Sequence, residues 1–392
     1  MRFHRTDDLP AYVFATVLGE KAKAVAQGRD VIDLGMGNPD GATPGPIVDR
    51  LVEEAKKPAN HRYAAPRGIS DLRTAAVDWY RRVYGVDLPD EKQLIVTMGA
   101  KDAVAHLSIA AWGPGDAVIV PDPTYPLHAF SVRFAGARQV PVPVGPGIDY
   151  AAGVEKALRA DPGITGIVAS FPHNPTTAIA TRSDLERLVA LARERRILLL
   201  HDFAYLHFEF GKTHAPSALA VPGAMECCVE VVSFSKSYNM AGYRIAIAAG
   251  WVDGVQALTR IKSYLDYGSF APIQAAAAHA LREGEPFARE IQGQYERRAR
   301  VLVAALGEVG WKVDMPAGTM FLWARVPEAF RSMGSLKFAL HVLEKASVSI
   351  SPGIGFGAAG EGFVRFALIE GDDRTREACR RIGEVLRAGP FA

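Results

Sequence analysis

The chain has little cysteine. Three residues in 392, the adjacent Cys227 and Cys228 and the distant Cys379, form no C-x-x-C pair and are too few for a disulfide scaffold. Redox and zinc-ribbon readings therefore fail, no metal site is expected, and a reducing cytoplasm is the expected location. Charge of either sign is not in excess: Lys plus Arg is 45, Asp plus Glu is 43, and the formal net charge is +2. Such a balance argues against coating nucleic acid or lying on a membrane surface, where affinity comes from a basic surplus. Long hydrophobic runs are missing too. The longest, such as Ile245–Val252, fall well short of the ~20 residues that cross a bilayer. The opening MRFHRTDDLP is too polar for the apolar core of a signal peptide, and internal repeats and low-complexity tracts are absent.

What is present is a long, ordinary globular composition, enough for two or three domains at roughly 100–200 residues each. Short apolar runs rich in Val, Ile and Leu recur through the middle of the chain: Leu94–Gly99, Ala117–Pro121, Gln139–Val144, Gly166–Phe171, Ile197–Asp202, Cys228–Ser233 and Ile245–Gly250. Each is too short for a helix and reads as a strand buried on both faces. Helical patterns such as Lys101–Trp112 and Arg182–Arg195 lie between them. The alternation predicts an α/β fold, a mostly parallel sheet with flanking helices. The ends differ. A helix-like stretch, Ala11–Ala26, precedes a Gly/Pro-rich loop, and a charged helical pattern, Pro286–Leu306, leads into Val313–Val326, another helical stretch and the strand Gly362–Leu368. We expect residues 46–284 to form a large domain, and 1–45 with 285–392 to form a smaller α+β domain from both chain ends.

Ligands of open parallel sheets bind beyond the carboxyl ends of the strands, so the residues that follow each run matter most. They are His201-Asp202 with Tyr205, Phe171-Pro172-His173-Asn174-Pro175, Ser233-Phe234-Ser235-Lys236-Ser237-Tyr238, and Gly99-Ala100-Lys101 at a helix start. If the strands are parallel, one rim gathers a carboxylate, an amide, a phenol, a lysine and several hydroxyls. A nucleophilic lysine needs a lowered pKa, which burial or a nearby cation such as Arg244 supplies. Ser233, Ser235, Arg244 and the backbone N–H groups after Gly99 suit a phosphate dianion at a helix N-terminus. Asp202 would keep an aromatic nitrogen protonated. Together these are the needs of pyridoxal phosphate.

The motifs also resemble those of the pyridoxal-phosphate aminotransferases of fold type I, class I/II, over nearly the whole chain. SFSKSYNMAGYR (Ser233–Arg244) looks like the family's S-x-S-K…G-x-R segment. The resemblance implies that Lys236 is the Schiff-base lysine, that Asn174 of N-P-T and Tyr205 of D-x-x-Y bond the cofactor's phenolic oxygen, and that Asp202 meets its pyridine nitrogen. Arg365, in GFVRFA, would clamp the substrate α-carboxylate. Tyr125 would stack on the ring, Gly37 would border the substrate, and Tyr63 would reach a phosphate in the partner subunit, which implies a homodimer with shared sites. The sequence departs from the family at Thr177, where Gly is usual, and at His173, where Asn or Ser is commoner.

Among sub-families, SKSYNMAGYR, HDFAY, FPHNPTT and DYGSFAPIQ look closest to bacterial alanine (glutamate–pyruvate) aminotransferases. The expected reaction is ping-pong transfer between an L-amino acid and a 2-oxoacid, with alanine and 2-oxoglutarate as substrates. An LL-diaminopimelate or other amino-acid aminotransferase is the near alternative, and a pyridoxal-phosphate lyase on the same fold is an alternative of another class. Lys101, a cation at a helix start where the macrodipole disfavours it, is the candidate for the phosphate or a distal substrate carboxylate. His201 and His207 have no ligand partners at useful spacing and read as structural. The G-x-G-x-x-G at Gly355, Gly357 and Gly360 precedes a strand rather than a helix, so it reads as a flexible loop leading to Arg365 and not as a dinucleotide fingerprint.

Overall fold

The computed structural model describes residues 12–89 and 91–390, together with Phe3, Thr6, Asp7, Leu9 and Pro10. Ala11, where the first helical stretch was expected to start, lies outside the described residues, and the helix itself spans Val13–Ala26. The strands are β1 Ile32–Asp33, β2 Leu94–Thr97, β3 Ala117–Asp122, β4 Arg138–Pro143, β5 Ile164–Ser170, β6 Leu198–Asp202, β7 Cys228–Ser233, β8 Ala246–Gly250, β9 Phe321–Arg325, β10 Val348–Ser349, β11 Ser351–Pro352 and β12 Phe363–Ala367. Seven of them form one sheet in the order β2-β8-β7-β6-β5-β3-β4.

β8 runs antiparallel to both its neighbours, β2 and β7, while the other pairs are parallel. The reversal matters to the site. It brings the start of β8, not its end, to the rim where β7 finishes, with Ser233 opposite Ala246. Asp202 stands level with Ser170 on one side and Val231 on the other, so the carboxyl ends of the central strands share one edge.

Side chains alternate between two apolar layers because successive residues of a strand face opposite ways. Leu199 and Ile247 join Trp79 and Tyr80 in one layer, whereas Leu200 and Ala248 join Val104, Leu107 and Leu258 in the other. Both faces are thus covered by helices, as a parallel sheet requires. Local signals set the helix ends. Thr181 and Asp184 form a reciprocal capping box at the start of Arg182–Arg195, and Gly85 and Gly136 end their helices in the left-handed conformation. Beneath the site, His201 is bonded to Glu230 at 2.9 Å, and Glu230 also accepts from Tyr80, Ser217 and the Ala218 N–H. The contact gives the buried His201 ring a polar partner inside the core.

A second core gathers Ile32 and Leu34 with Phe321, Leu322, Phe338, Val364, Phe366 and Ile382, so residues from both chain ends pack together. Its sheet has the order β11-β12-β9, antiparallel throughout. Within Val313–Val326 the structure holds strand β9, and the helix of this region is Ser335–Ala346. The glycine-rich stretch before β12 is not an open loop. It makes two 3-10 turns, and any Cβ on Gly353 would lie 2.0 Å from the Gly360 carbonyl oxygen. The free thiols of Cys227, Cys228 and Cys379 are all buried. Among the described residues, no helix is long and apolar enough to cross a membrane.

Candidate active site

A cleft of about 960 Å³ opens at the carboxyl ends of β5, β6 and β7, with residues of the second core on its other wall. Lys236 projects into it from the short helical turn Phe234–Ser237 that follows β7. Its Nζ donates to the Gly37 carbonyl oxygen at 2.8 Å, a contact that joins chain segments 199 residues apart. Burial, with the positive charges of Arg365 and Arg244 nearby, pushes its amine down to about 8. The lysine is therefore partly neutral at physiological pH, as a nucleophile or proton carrier must be.

Asp202 ends β6. Its Oδ2 accepts from His128 Nε2 at 2.9 Å, and His128 Nδ1 in turn accepts from Thr124 Oγ1 at 2.7 Å. A carboxylate can only accept, so this chain fixes the histidine tautomer with its proton on Nε2. Asp202 Oδ1 is buried with no protein partner. A buried oxygen left unpaired is costly, and it marks the place where a cationic N–H of a bound group fits.

Arg365, in the middle of β12, donates to Asn174 Oδ1 at 2.8 Å and to the Gly35 carbonyl at 3.0 Å. Its guanidinium lies over the Phe321 ring at 3.9 Å and the Phe356 ring at 4.6 Å. Burial lowers its pKa to about 10, and it stays charged. The arginine is thus held flat, without a carboxylate partner among its hydrogen bonds, and is ready for a carboxylate ligand. Gly37 must be glycine for the same wall to close: a Cβ there would sit 2.6 Å from the Phe321 ring. At the other end of the cleft Gly99 has φ +87°, and a Cβ on it would lie 2.5 Å from the Arg244 guanidinium. Arg244 therefore approaches the N-terminus of helix Ala100–Ala111 in a cleft that Ser233 and Ser235 also line, a corner whose chemistry suits an anion.

Of the residues singled out in the sequence, Gly37, Ala100, Lys101, Tyr125, Asn174, Asp202, Tyr205, Ser233, Ser235, Lys236, Arg244 and Arg365 line this one cleft, and Gly99 borders it through Arg244. Burial pushes the phenols of Tyr125 and Tyr205 upward. Tyr63 is not brought in: it is 84% exposed and stacks on Tyr267 outside the cleft. The two departures from the expected motif flank the site without entering it. Thr177 has φ 63°, the left-handed region where glycine is at ease. His173 is buried and bonded to Thr176 Oγ1, with burial holding its pKa at about 3. Sequence reasoning missed His128, Phe321 and Phe356. Of these His128 had a usable signal, since it stands three residues after Tyr125, in the first turn of the helix Pro126–Ala135 that follows β3.

A buried lysine of lowered pKa, a carboxylate with one free oxygen, an arginine awaiting a carboxylate and an anion corner, all on the rim of this sheet, define an enzyme of the fold type I α/β class. The model of the family "Aminotransferase class I and II" matches residues 29–382. The chain belongs to that family and is an aminotransferase. It is 46% identical to the glutamate-pyruvate aminotransferase AlaC of Escherichia coli, over 99% of this chain and 94% of that protein. It is 37% identical to the LL-diaminopimelate aminotransferase of Oleidesulfovibrio alaskensis, over 97% of this chain and 98% of that one. Among solved structures, substrate-bound BacF from Bacillus subtilis superposes with a TM-score of 0.92 at 31% identity, covering 100% of this chain and 99% of that one.

Proposed function

We propose that the cleft holds pyridoxal 5'-phosphate and that the enzyme moves the amino group between L-alanine and 2-oxoglutarate. The observation that supports the cofactor best is the orphaned Asp202 Oδ1, which stands in the same cleft as the partly neutral Lys236 and the corner of Gly99, Ala100, Ser233, Ser235 and Arg244. The corner would take the phosphate, Asp202 the ring nitrogen, Asn174 and Tyr205 the phenolic oxygen, and Tyr125 the ring face. When bound, the cofactor supplies an aromatic electron sink conjugated to the substrate nitrogen.

The remaining work falls to this chain's own side chains. Arg365 binds the substrate α-carboxylate bidentately and so fixes the direction of the Cα–H bond. Lys236 Nζ takes the Cα proton as general base and gives it up again as general acid. The oxoacid then runs the exchange in reverse, which makes the kinetics ping-pong. Lys101, exposed at the cleft edge on the first turn of its helix, is the cation offered to the distal carboxylate of glutamate or 2-oxoglutarate.

The amino donor follows the identity to AlaC, the higher of the two relatives named above. LL-Diaminopimelate is the second reading, supported by the relative of that name. Outside the cleft, Tyr63, Tyr264, Leu265 and Tyr267 form an exposed apolar surface, with Tyr264 at 85% exposure. We assign this surface to a homodimer contact that offers Tyr63 to the partner's site. The buried thiols, none of them in a disulfide, fit a reducing cytoplasm.

The test is turnover of purified holoenzyme with L-alanine and 2-oxoglutarate, giving pyruvate and glutamate in equal amounts. Turnover of LL-diaminopimelate but not alanine would move the donor to the second reading. Pyruvate formed without an oxoacid would mean a lyase. Lys101→Ala should raise KM for glutamate and 2-oxoglutarate while leaving KM for alanine unchanged, and equal KM values for glutamate would remove Lys101 from the distal contact.

A further inference from the structure

His207 has no ligand partner by sequence spacing, but the fold supplies two. His207 and His214 lie on the segment after β6, and Glu285 is the first residue of the helix Glu285–Glu308. One ring nitrogen from each histidine and one Glu285 carboxylate oxygen all fall within 4.8 Å of one another. Glu285 Oε2 lies 3.0 Å from His214 Nε2 and 3.5 Å from His207 Nε2. We propose that His207, His214 and Glu285 form a binding site for a divalent transition metal of the zinc class, separate from the aminotransferase cleft.

The geometry suits the ion. Tetrahedral Zn²⁺ with ligands at about 2.0–2.1 Å separates neighbouring ligand atoms by roughly 3.3–3.5 Å, so the two spacings to Glu285 need adjustments of only tenths of an ångström, while the two histidine nitrogens, within 4.8 Å of each other, close on the ion by rotating His214. Two imidazoles and one carboxylate are the ligand set of an open site, with water in the fourth position. Room for that water lies on the side of Glu285 and His214, which are 27% and 16% exposed.

The independent mark of a ligand is His207 itself. It is 1% exposed, and its Nε2 is buried without a hydrogen-bond partner, as is Glu285 Oε1. Its other nitrogen, Nδ1, bonds Ser237 Oγ at 2.8 Å. That outer contact orients the ring and leaves Nε2 for the metal, the arrangement by which metal-binding histidines are usually held. The rings of Tyr84 and Tyr238 stand 5.8 Å from His214 and 5.7 Å from His207 and wall the site. A neighbouring cation, Arg289, lies 3.5 Å from Glu285 Oε1.

A second cluster in the protein shows what a site without a metal looks like. Asp102, His106 and Asp266 also converge, but the ammonium of Lys262 already sits between the two carboxylates at 2.6 and 2.9 Å. Among the described residues, no ammonium or guanidinium sits between His207, His214 and Glu285; Arg289 meets Glu285 Oε1 alone.

Holoenzyme stripped with chelator and dialysed against Zn²⁺ should retain one zinc per chain by elemental analysis, with two imidazoles in its X-ray absorption spectrum. His214→Ala and Glu285→Gln, each altering a partly exposed residue, should weaken retention at least roughly tenfold, whereas His106→Ala should not. Circular dichroism of the variants shows that they are folded. Absence of stoichiometric zinc in the wild type, zinc kept unchanged by both site variants, or zinc lost with His106→Ala would each overturn the assignment.

Discussion

Replacing His128 by Phe would test whether Asp202 is held for its task by the chain of bonds behind it. The substitution keeps an aromatic ring at a buried position but removes both polar contacts, the 2.9 Å bond to Asp202 Oδ2 and the 2.7 Å bond from Thr124 Oγ1. Asp202 Oδ1 has no protein partner, so the variant carboxylate would have no donor from the protein at all. A hydrogen bond to a charged group contributes about 1.5–3 kcal/mol. If that energy is expressed in positioning Asp202, kcat/KM falls by roughly 10- to 150-fold, and affinity for pyridoxal phosphate falls with it. The assay is steady-state transamination at saturating cofactor, alongside cofactor titration of the apoenzyme. His128→Gln, which keeps an N–H donor, should recover a large part of the loss. A Phe variant within twofold of the wild type, or Gln and Phe variants equally impaired, would refute the positioning role.

Three further outcomes are expected. With its amine at about 8 against an ordinary 10.5, Lys236 is neutral in about one molecule in ten at pH 7, roughly 300 times the ordinary lysine fraction. Apoenzyme should therefore take up pyridoxal phosphate about tenfold faster per pH unit below pH 8 and level off above, and a rate still climbing towards pH 10 would show an unperturbed amine. Arg365→Lys keeps the charge but loses the planar fork that donates to Asn174 and Gly35 and stacks on Phe321, so kcat/KM for every amino acid and oxoacid should fall by roughly 10- to 150-fold. Arg196 ends the helix Arg182–Arg195 with φ 56°. Arg196→Gly should stabilise the protein by about 0.5–1 kcal/mol in chemical denaturation, because glycine enters the left-handed region without a Cβ penalty.

Much of the site could be read from the sequence because each of its motifs is local. A strand rich in Val and Leu that stops at Asp202, Ser233 or Ser170 states both the element and the side chains presented at its end, and the parallel pairing of such strands, buried on both faces, gathers those ends on one rim. Lys236, Ser233 and Ser235 lie within four residues, and Gly99 through Lys101 within three. The direction of β8 was not legible, since a run of apolar residues reads the same either way; the pairing with β2 and β7 decides it, and with it the place of Arg244. The glycine-rich stretch before β12 looked like a flexible loop, because sequence shows glycine's freedom but not the backbone packed against it.

Tertiary structure alone decided the contacts between distant segments. Arg365 meets Gly35 across 330 residues and Asn174 across 191, and Lys236 meets Gly37 across 199. His128 reaches Asp202 over 74 residues, and Glu285 comes to His207 from a helix that begins 78 positions later. No local periodicity encodes such meetings. The sequence by itself determined which elements form and which reactive groups stand at their ends, because propensity, capping and burial pattern act over a few residues. Which of those groups face one another, and at what distance, depended on how two apolar cores packed together, and that is settled only when the whole chain has folded.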